Sequence, residues 1–357
     1  SFGMAVSTAM IFGLVSLMFL DTSINMAMQP FKMMVGDMVN EKQKGLAYSI
    51  QSFLCNAGSL VGFLFPFIFT WIGISNIAPQ GVVPDSVIYS FYIGAAILIL
   101  CVIYTTVKVK EMPPAEYAEY HGITEEEEKE KINMVKLLIK APKAFWTVGL
   151  VQFFCWFAFM FMWTYTNGSV AANVFDAPTV ETAVNGVSKV MLDTKSIQYQ
   201  DAADWVGVLF AVQAIGSVLW AVCIPLFKDR KLIYSLSLVL GGLGFISTYF
   251  VHNQYVLFIS FLLIGCAWAA MLALPFTILT NALSGGHMGT YLGLFNGTIC
   301  IPQIVAASLG GSILALFTPK GMLPPEINML VMAGVMLIIG AVCVYLIKET
   351  KGEQTKA

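Results

Sequence analysis

The sequence predicts an all-α polytopic membrane protein, and three observations carry that prediction. Of 357 residues, 58% are hydrophobic and only 11% are charged, whereas a soluble domain carries roughly 25% charged residues. Apolar runs recur along the whole chain, each close to the ~20 residues that one helical bilayer crossing needs. Lysine and arginine fall almost entirely into alternate loops, the mark of a chain threaded repeatedly through a membrane. A mean hydropathy of +0.78 excludes a soluble enzyme. A net charge of −2, from 19 basic and 21 acidic residues, offers no surface for nucleic acid.

The apolar runs place nine helices near 5–36, 45–73, 87–108, 144–166, 203–227, 232–251, 254–281, 288–318 and 328–347. The first, second and eighth exceed one crossing and are expected to tilt, break or protrude. If the first loop is cytoplasmic, sixteen basic residues lie inside: Lys32, Lys42, Lys44, Lys108, Lys110, Lys129, Lys131, Lys136, Lys140, Lys143, Lys228, Arg230, Lys231, Lys348, Lys351 and Lys356. Only Lys189, Lys195 and Lys320 remain outside, so the C-terminus is expected in the cytoplasm and the protein in a cell membrane, plasma or bacterial inner.

The odd helix count puts Ser1 outside with no linker before the first helix. The long charged segment 109–142 follows three helices and precedes six, whereas many transporters join two six-helix halves by one such linker. On that template nine of twelve helices are present and the first three are missing. The chain then divides into an incomplete N-terminal bundle (1–108), a cytoplasmic linker (109–142), a six-helix C-terminal bundle (143–347) and a tail (348–357). Within the linker, Thr124 and Glu125 to Glu128 precede Lys136, Lys140 and Lys143, with Ile132, Val135, Leu138 and Ile139 forming an apolar stripe. This reads as a short helix lying on the inner leaflet. Segment 167–202 reads as an irregular cap. The seven cysteines all sit in apolar segments without metal-ligand spacing and read as small hydrophobes.

Of the 21 acidic residues, Asp21 alone lies well inside an apolar helix; the others fall in loops, tails or helix ends. A carboxylate at that depth costs a few kcal/mol and marks an ion or proton path. Asn25, Gln29 and Lys32 lie about 40°, about 80° and about 20° round the helix from it, a polar stripe expected to face the bundle interior. On the fourth helix Gln152, Trp156, Trp163 and Asn167 share one face within about 60°. Rings beside amides suit a sugar, whose CH faces stack while its hydroxyls need donors and acceptors. The eighth helix puts Asn296, Cys300 and Gln303 on one face, with Pro302 expected to break the backbone ladder. Gln213, Trp268 and Pro275 are weaker candidates. No HExxH, P-loop, GxSxG or GxGxxG signature occurs, and His121, His252 and His287 fall in loops or at helix ends, which argues against an enzyme.

The stretch LDTSINMAMQPFKMMVGD, residues 20–37, resembles the fourth transmembrane helix of sucrose:proton symporters through Asp21, Asn25, Pro30, Lys32 and Asp37 at fixed spacing. VQFFCWFAFMFMWTY (151–165), CAWAAMLALPF (266–276) and GTYLGLFNGTICIPQ (289–303) are similar to that group's seventh, tenth and eleventh helices. The resembled family is the glycoside-pentoside-hexuronide:cation symporters together with plant and animal sucrose transporters (solute carrier family 45), within the major facilitator superfamily. That resemblance implies import of a disaccharide such as sucrose or maltose with a proton by alternating access. With it, the polar and aromatic stripes read above are expected to supply Asp21 as the coupling carboxyl and a sugar site drawn from Asn25, Gln29, Gln152, Trp156, Trp163, Asn296 and Gln303. Lys32, Asp37, Asp229 and Arg230 are then gating or cytoplasmic-face groups. The chain departs from plant members in having Lys32 for their arginine, and Tyr165, Thr166 and Asn167 where they carry acids. Expected partners are the sugar and the bilayer, with no nucleic acid, no metal, no cofactor beyond the coupling proton, and a monomeric state. Sodium in place of the proton, or a sugar sensor without transport, are the alternatives.

Overall fold

A computed structural model describes residues 2–40, 43–74, 85–110, 113, 116, 134–184, 187–282, 288–319 and 321–347. The chain forms α1 (Phe2–Met38), α2 (Lys44–Trp71), α3 (Asp85–Lys108), a short α4 (Met134–Ile139) and α5 (Lys143–Asn173). A hairpin of β1 (Thr179–Val184) and β2 (Val187–Leu192) follows. Then come α6 (Ile197–Cys223), α7 (Arg230–Ser247), α8 (Leu257–Ala282), α9 (Met288–Phe295), α10 (Gly297–Phe317) and α11 (Ile327–Cys343). Among the described residues, eight helical segments are long and apolar enough to cross a bilayer. With the 28-residue α2 they match the nine runs expected from hydropathy.

Segment 167–202 differs from expectation, because it is not irregular. α5 continues to Asn173, α6 begins at Ile197 with Ser196 accepting from the Tyr199 amide at 3.3 Å, and an antiparallel hairpin lies between them. The register runs from Thr179 opposite Leu192 to Val184 opposite Val187. The sequence held the signal for this turn, Asn185-Gly186 between two strand-forming runs, a dipeptide that favours tight hairpins.

The eighth apolar run breaks, as its length led one to expect, but not at Pro302. It breaks at Asn296, between α9 and α10, and α10 runs on through Pro302. The Asn296 amide is shared between the carbonyls of Leu292 and Gly293, which tightens the turn there. Pro302 merely omits one bond from a helix held by its neighbours. In the linker, α4 is described only over Met134–Ile139, with Met134, Val135 and Ile139 exposed and the Leu137 carbonyl accepting from Tyr291 Oη at 3.3 Å. The acidic run 125–128, Ile132, His121, His287 and the tail lie outside the described residues.

α8 is the central element and packs against α2, α5, α6 and α7, while α11 packs against α5 and α7 and α10 lies along α5. Lipid tails are as apolar as leucine, so close approach rather than water exclusion holds such helices together, and small residues permit it. A β-carbon added at Gly216 in α6 would lie 2.9 Å from the Leu262 Cα of α8. One added at Gly265 in α8 would lie 2.7 Å from the Ser217 amide of α6, and one at Gly244 in α7 would lie 2.6 Å from the Ser260 carbonyl of α8. α2 meets α8 through stacked Tyr48 and Phe276 rings 6.2 Å apart and through Ser52 Oγ, which donates to the Ala269 carbonyl at 3.5 Å. α1 touches chiefly α2 and α9, and none of its Ile11–Met28 stretch is buried.

Gly265→Ala is expected to force α6 and α8 apart at a cost of about 1–3 kcal/mol, read as a lowered thermal midpoint of the detergent-solubilised protein. Gly94→Ala in α3, where an added β-carbon meets nothing within 4 Å, is expected to leave that midpoint in place.

Candidate functional site

The polar and aromatic residues of α5 gather with α8 into one group. Gln152 is fully buried, and its Nε2 donates to the Met271 carbonyl of α8 at 3.0 Å. That carbonyl is special. Its normal helical partner would be the amide of residue 275, which is Pro275 and has no N–H to give. Gln152 therefore satisfies a carbonyl that the proline leaves over, which a membrane interior requires. Its own Oε1 is buried without a hydrogen-bond partner.

One turn further along α5, the Trp156 ring meets Trp268 of α8 edge-on with centroids 5.7 Å apart, and it lies 6.4 Å from Trp163. Trp163 in turn lies 5.7 Å from Trp268, and Phe159 touches both Trp163 (6.4 Å) and Trp268 (4.9 Å). Trp156 is 9% exposed and Trp163 43%, so the cluster has one buried and one open ring. The indole N–H groups separate the tryptophans by role. Trp205 Nε1 donates to the Gln254 carbonyl at 3.2 Å and Trp220 Nε1 to Ser237 Oγ at 2.8 Å, so both are tied into the fold. Trp156 Nε1 is buried with no partner among the described residues. A buried donor left unpaired costs about 1–3 kcal/mol, and with Gln152 Oε1 it supplies a donor and an acceptor beside three indole rings. Trp268, a weaker candidate in the sequence, is thus the residue that joins Trp156 to Trp163.

The other candidates lie elsewhere. Asp21 is exposed on α1 and Asn25 half-exposed, with Asn25 Nδ2 donating to the Asp21 carbonyl at 2.9 Å. The burial expected for this stripe is absent among the described residues, because α1 has only α2 and α9 as substantial neighbours. Gln29, Lys32 and Asp37 fall on α1, but their side chains lie outside the described residues. Asn167 leaves the α5 group, since its Nδ2 donates to Tyr199 Oη of α6 at 2.9 Å. Asn296 Nδ2 lies 3.9 Å from Cys300 Sγ and its Oδ1 is buried without a partner, while Gln303 is half-buried. Neither makes a hydrogen bond with Gln152 or Trp156 among the described residues, although α10 runs along α5 with Thr298 against Gly149. Gln213 is buried in α6. Asp229 caps α7, its Oδ1 accepting from the Lys231 and Leu232 amides at 3.0 Å, and Arg230 begins that helix. A capping carboxylate is a structural role for the first of these gating candidates.

Two polar residues were not singled out from the sequence. Asn56 of α2 is fully buried, donates from Nδ2 to the Ser52 carbonyl at 2.7 Å, and holds a buried Oδ1 without a partner beside the α2–α8 seam. Glu326 opens α11, and its carboxyl lies over Gly168 of α5, where an added β-carbon would land on it. Burial pushes this carboxyl from its ordinary 4.5 up to about 7. Asn56 was legible as an amide in an apolar run. Glu326 read as one more helix-end acid after Pro324 and Pro325, and only the facing glycine distinguishes it.

No group of three or more metal-ligating side chains occurs among the described residues. The family model described as Major Facilitator Superfamily matches the chain twice, over residues 1–192 and over residues 170–357. A crystal structure of the E. coli fucose:proton symporter is similar in fold, with a TM-score of 0.52 and 16% identity, over 87% of this chain and 71% of that one. No curated protein sequence matches.

Replacing Gln152 by Leu is expected to strand the Met271 carbonyl and cost about 1–3 kcal/mol. In a Pro275→Ala background the backbone amide at 275 can take that carbonyl, so the same Gln152→Leu change should cost clearly less. A double-mutant cycle on thermal unfolding measures the difference.

Proposed function

The chain belongs to the major facilitator superfamily, and from that premise we propose that it imports a disaccharide of the sucrose or maltose type, driven by protons, by alternating access. It is a multi-pass membrane transporter rather than an enzyme. The sugar and the proton are our reading of the site. Residues 1–108 would contribute to one rocking unit and residues 143–347 form the other, with the C-terminus in the cytoplasm and the whole in a cell membrane.

The observation that carries the sugar reading is the α5–α8 face. Three indole rings lie within 6.4 Å of one another, next to an unpaired indole donor on Trp156 and an unpaired amide acceptor on Gln152. A pyranose presents apolar CH faces and a rim of hydroxyls, which such a surface matches by stacking and by hydrogen bonds. Ions and fatty chains lack one or other half of that pattern. Asn25, Gln29, Asn296 and Gln303 are proposed to complete the site from α1 and α10 in another state of the cycle.

Proton coupling is assigned to Asp21. A membrane-depth carboxyl that binds a proton and a sugar that binds the same bundle state raise each other's affinity, and the coupling is reciprocal. The resemblance of residues 20–37 to the sucrose:proton symporters supports this role, and the structural likeness to a sugar:proton symporter supports the fold in which it would work.

Uptake of labelled sucrose or maltose into sealed vesicles under an imposed pH gradient tests both halves. Asp21→Asn is expected to abolish gradient-driven uptake while leaving sugar exchange at equal pH, and unchanged gradient-driven uptake would make Asp21 structural. Trp156→Ala is expected to raise the half-saturating sugar concentration about tenfold to a hundredfold, the equivalent of about 1–3 kcal/mol of lost stacking. Uptake driven by sodium and indifferent to pH would replace the proton as the coupling ion.

A further inference from the structure

Two fully buried polar side chains have no part in the sugar site or in proton coupling. Asn56 of α2 and Ser217 of α6 are each 0% exposed, and Asn56 Oδ1 and Ser217 Oγ have no hydrogen-bond partner among the described residues. The amide oxygen accepts and the hydroxyl can donate, so the two are chemically matched. α2 belongs to residues 1–108 and α6 to residues 143–347, the two units of the cycle proposed above.

Two sets of contacts place them at one level. α2 runs antiparallel to α8: a β-carbon added at Gly45 would lie 3.7 Å from Thr277 Cγ2, Tyr48 stacks on Phe276, and Ser52 Oγ donates to the Ala269 carbonyl. One turn beyond Ser52 is Asn56, and one turn back from Ala269 is Gly265, where an added β-carbon would lie 2.7 Å from the Ser217 amide nitrogen. α6 runs parallel to α8, as Trp205 stacks on Phe258 and Phe210 meets Phe261. α2 and α6 are therefore antiparallel, and their Phe63 and Phe210 rings lie 6.0 Å apart. Seven residues from each ring, close to two helical turns, lead again to Asn56 and Ser217 on the same two faces.

We propose that Asn56 and Ser217 are the two halves of a hydrogen bond made between the rocking units in another state of the transport cycle, and that unpaired they bias the protein away from the arrangement seen here. A buried polar atom without a partner is costly, and that cost falls on this state alone. Asn56 here turns its amide nitrogen back to the Ser52 carbonyl of its own helix at 2.7 Å, which leaves the oxygen to accept from elsewhere. The movement is a tilt of α2 about the Phe63–Phe210 contact. It carries Asn56 across Ser217 and lifts the Lys44 end of α2 from α8, where the Ser52 bond, at 3.5 Å, is at the limit of hydrogen-bond reach. An interaction made in one state only shifts the balance between states by its own free energy. This latch rests on the two-unit cycle proposed above and on neither the sugar nor the proton.

Ser49, 7% exposed on the same face of α2, gives the readout. In Ser49→Cys, a water-soluble maleimide reaches the thiol when α2 leaves α8, so the labelling rate follows the population of the other state. Labelling of the full chain in lipid nanodiscs, without sugar, is read site by site by mass spectrometry. Ser217→Ala and Asn56→Leu are each expected to slow it about fivefold or more, and the two together to slow it no further than the stronger one alone. A merely structural role for either residue would loosen the seam and quicken labelling instead. If Asn56→Leu fails to fold, Asn56→Ala takes its place in the double-mutant cycle. Gly45→Cys oxidised to Thr277→Cys holds the Lys44 end of α2 on α8 and is expected to abolish the labelling. Labelling that survives this crosslink, that Ser217→Ala leaves unchanged or quickens, or that the two substitutions slow by independent factors, overturns the proposal. Sugar counterflow on the same preparation reads the transport assignment alone. Absent counterflow with coupled labelling therefore overturns the sugar reading and not the latch.

Discussion

Backbone contact between helices at α8 is the constraint on which the other features depend. Within a bilayer there is no water to expel from between two helices, so attraction comes from dispersion and from hydrogen bonds at short range. α8 meets this condition on several sides at once, through Gly265 and Gly216 toward α6, Gly241 and Gly244 toward α7, and Ser52 of α2 toward Ala269. A helix held so closely by its neighbours has little freedom to tilt. That fixity places Trp268 and the Met271 carbonyl where α5 can use them.

Polar satisfaction is the second level of the same constraint. Pro275 removes an amide from the most tightly packed helix, and Gln152 on α5 restores the lost hydrogen bond. The arrangement ties α5 to α8 by one directed bond at the point where the aromatic group begins. It also uses only the amide nitrogen of Gln152. The oxygen, together with the Trp156 indole N–H, is left as a matched acceptor and donor in an otherwise apolar setting. A purely structural face would be expected to pair these atoms internally, as Trp205 and Trp220 are paired. Asp229 illustrates the opposite outcome, because its carboxylate is taken up by a helix cap, whereas Asn167 gives its Nδ2 to Tyr199 and keeps a buried Oδ1 without a partner.

The two acids invite different physical accounts. Asp21 stands out by depth in an apolar helix, and it lies on a span of which no part is buried among the described residues. Glu326 stands at a helix end, where acids are commonplace, yet it is the one pressed against a neighbouring helix. Depth in the sequence and desolvation in the fold are separate quantities. The first is set by distance along the chain from the polar loops, the second by which helices happen to pack alongside.

The sequence by itself determined the all-helical membrane class, the helix order and most helix ends, since apolar run length and polar punctuation act locally and the bilayer imposes one length on every crossing. It also marked Trp156, Trp163 and Gln152 as one face of α5, because 100° per residue fixes which positions share a side. It held the Asn185-Gly186 signal for the hairpin and still read as irregular there, because two short strands among long helices carry little periodic weight. Only the tertiary structure decided that Gln152 answers Pro275, that Trp268 bridges the two α5 tryptophans, that Asn167 bonds to Tyr199 of α6 instead, and that Glu326 rests on Gly168. Each of these joins residues far apart in sequence on different helices, and pairing of that kind follows from close packing between helices rather than from any pattern within one.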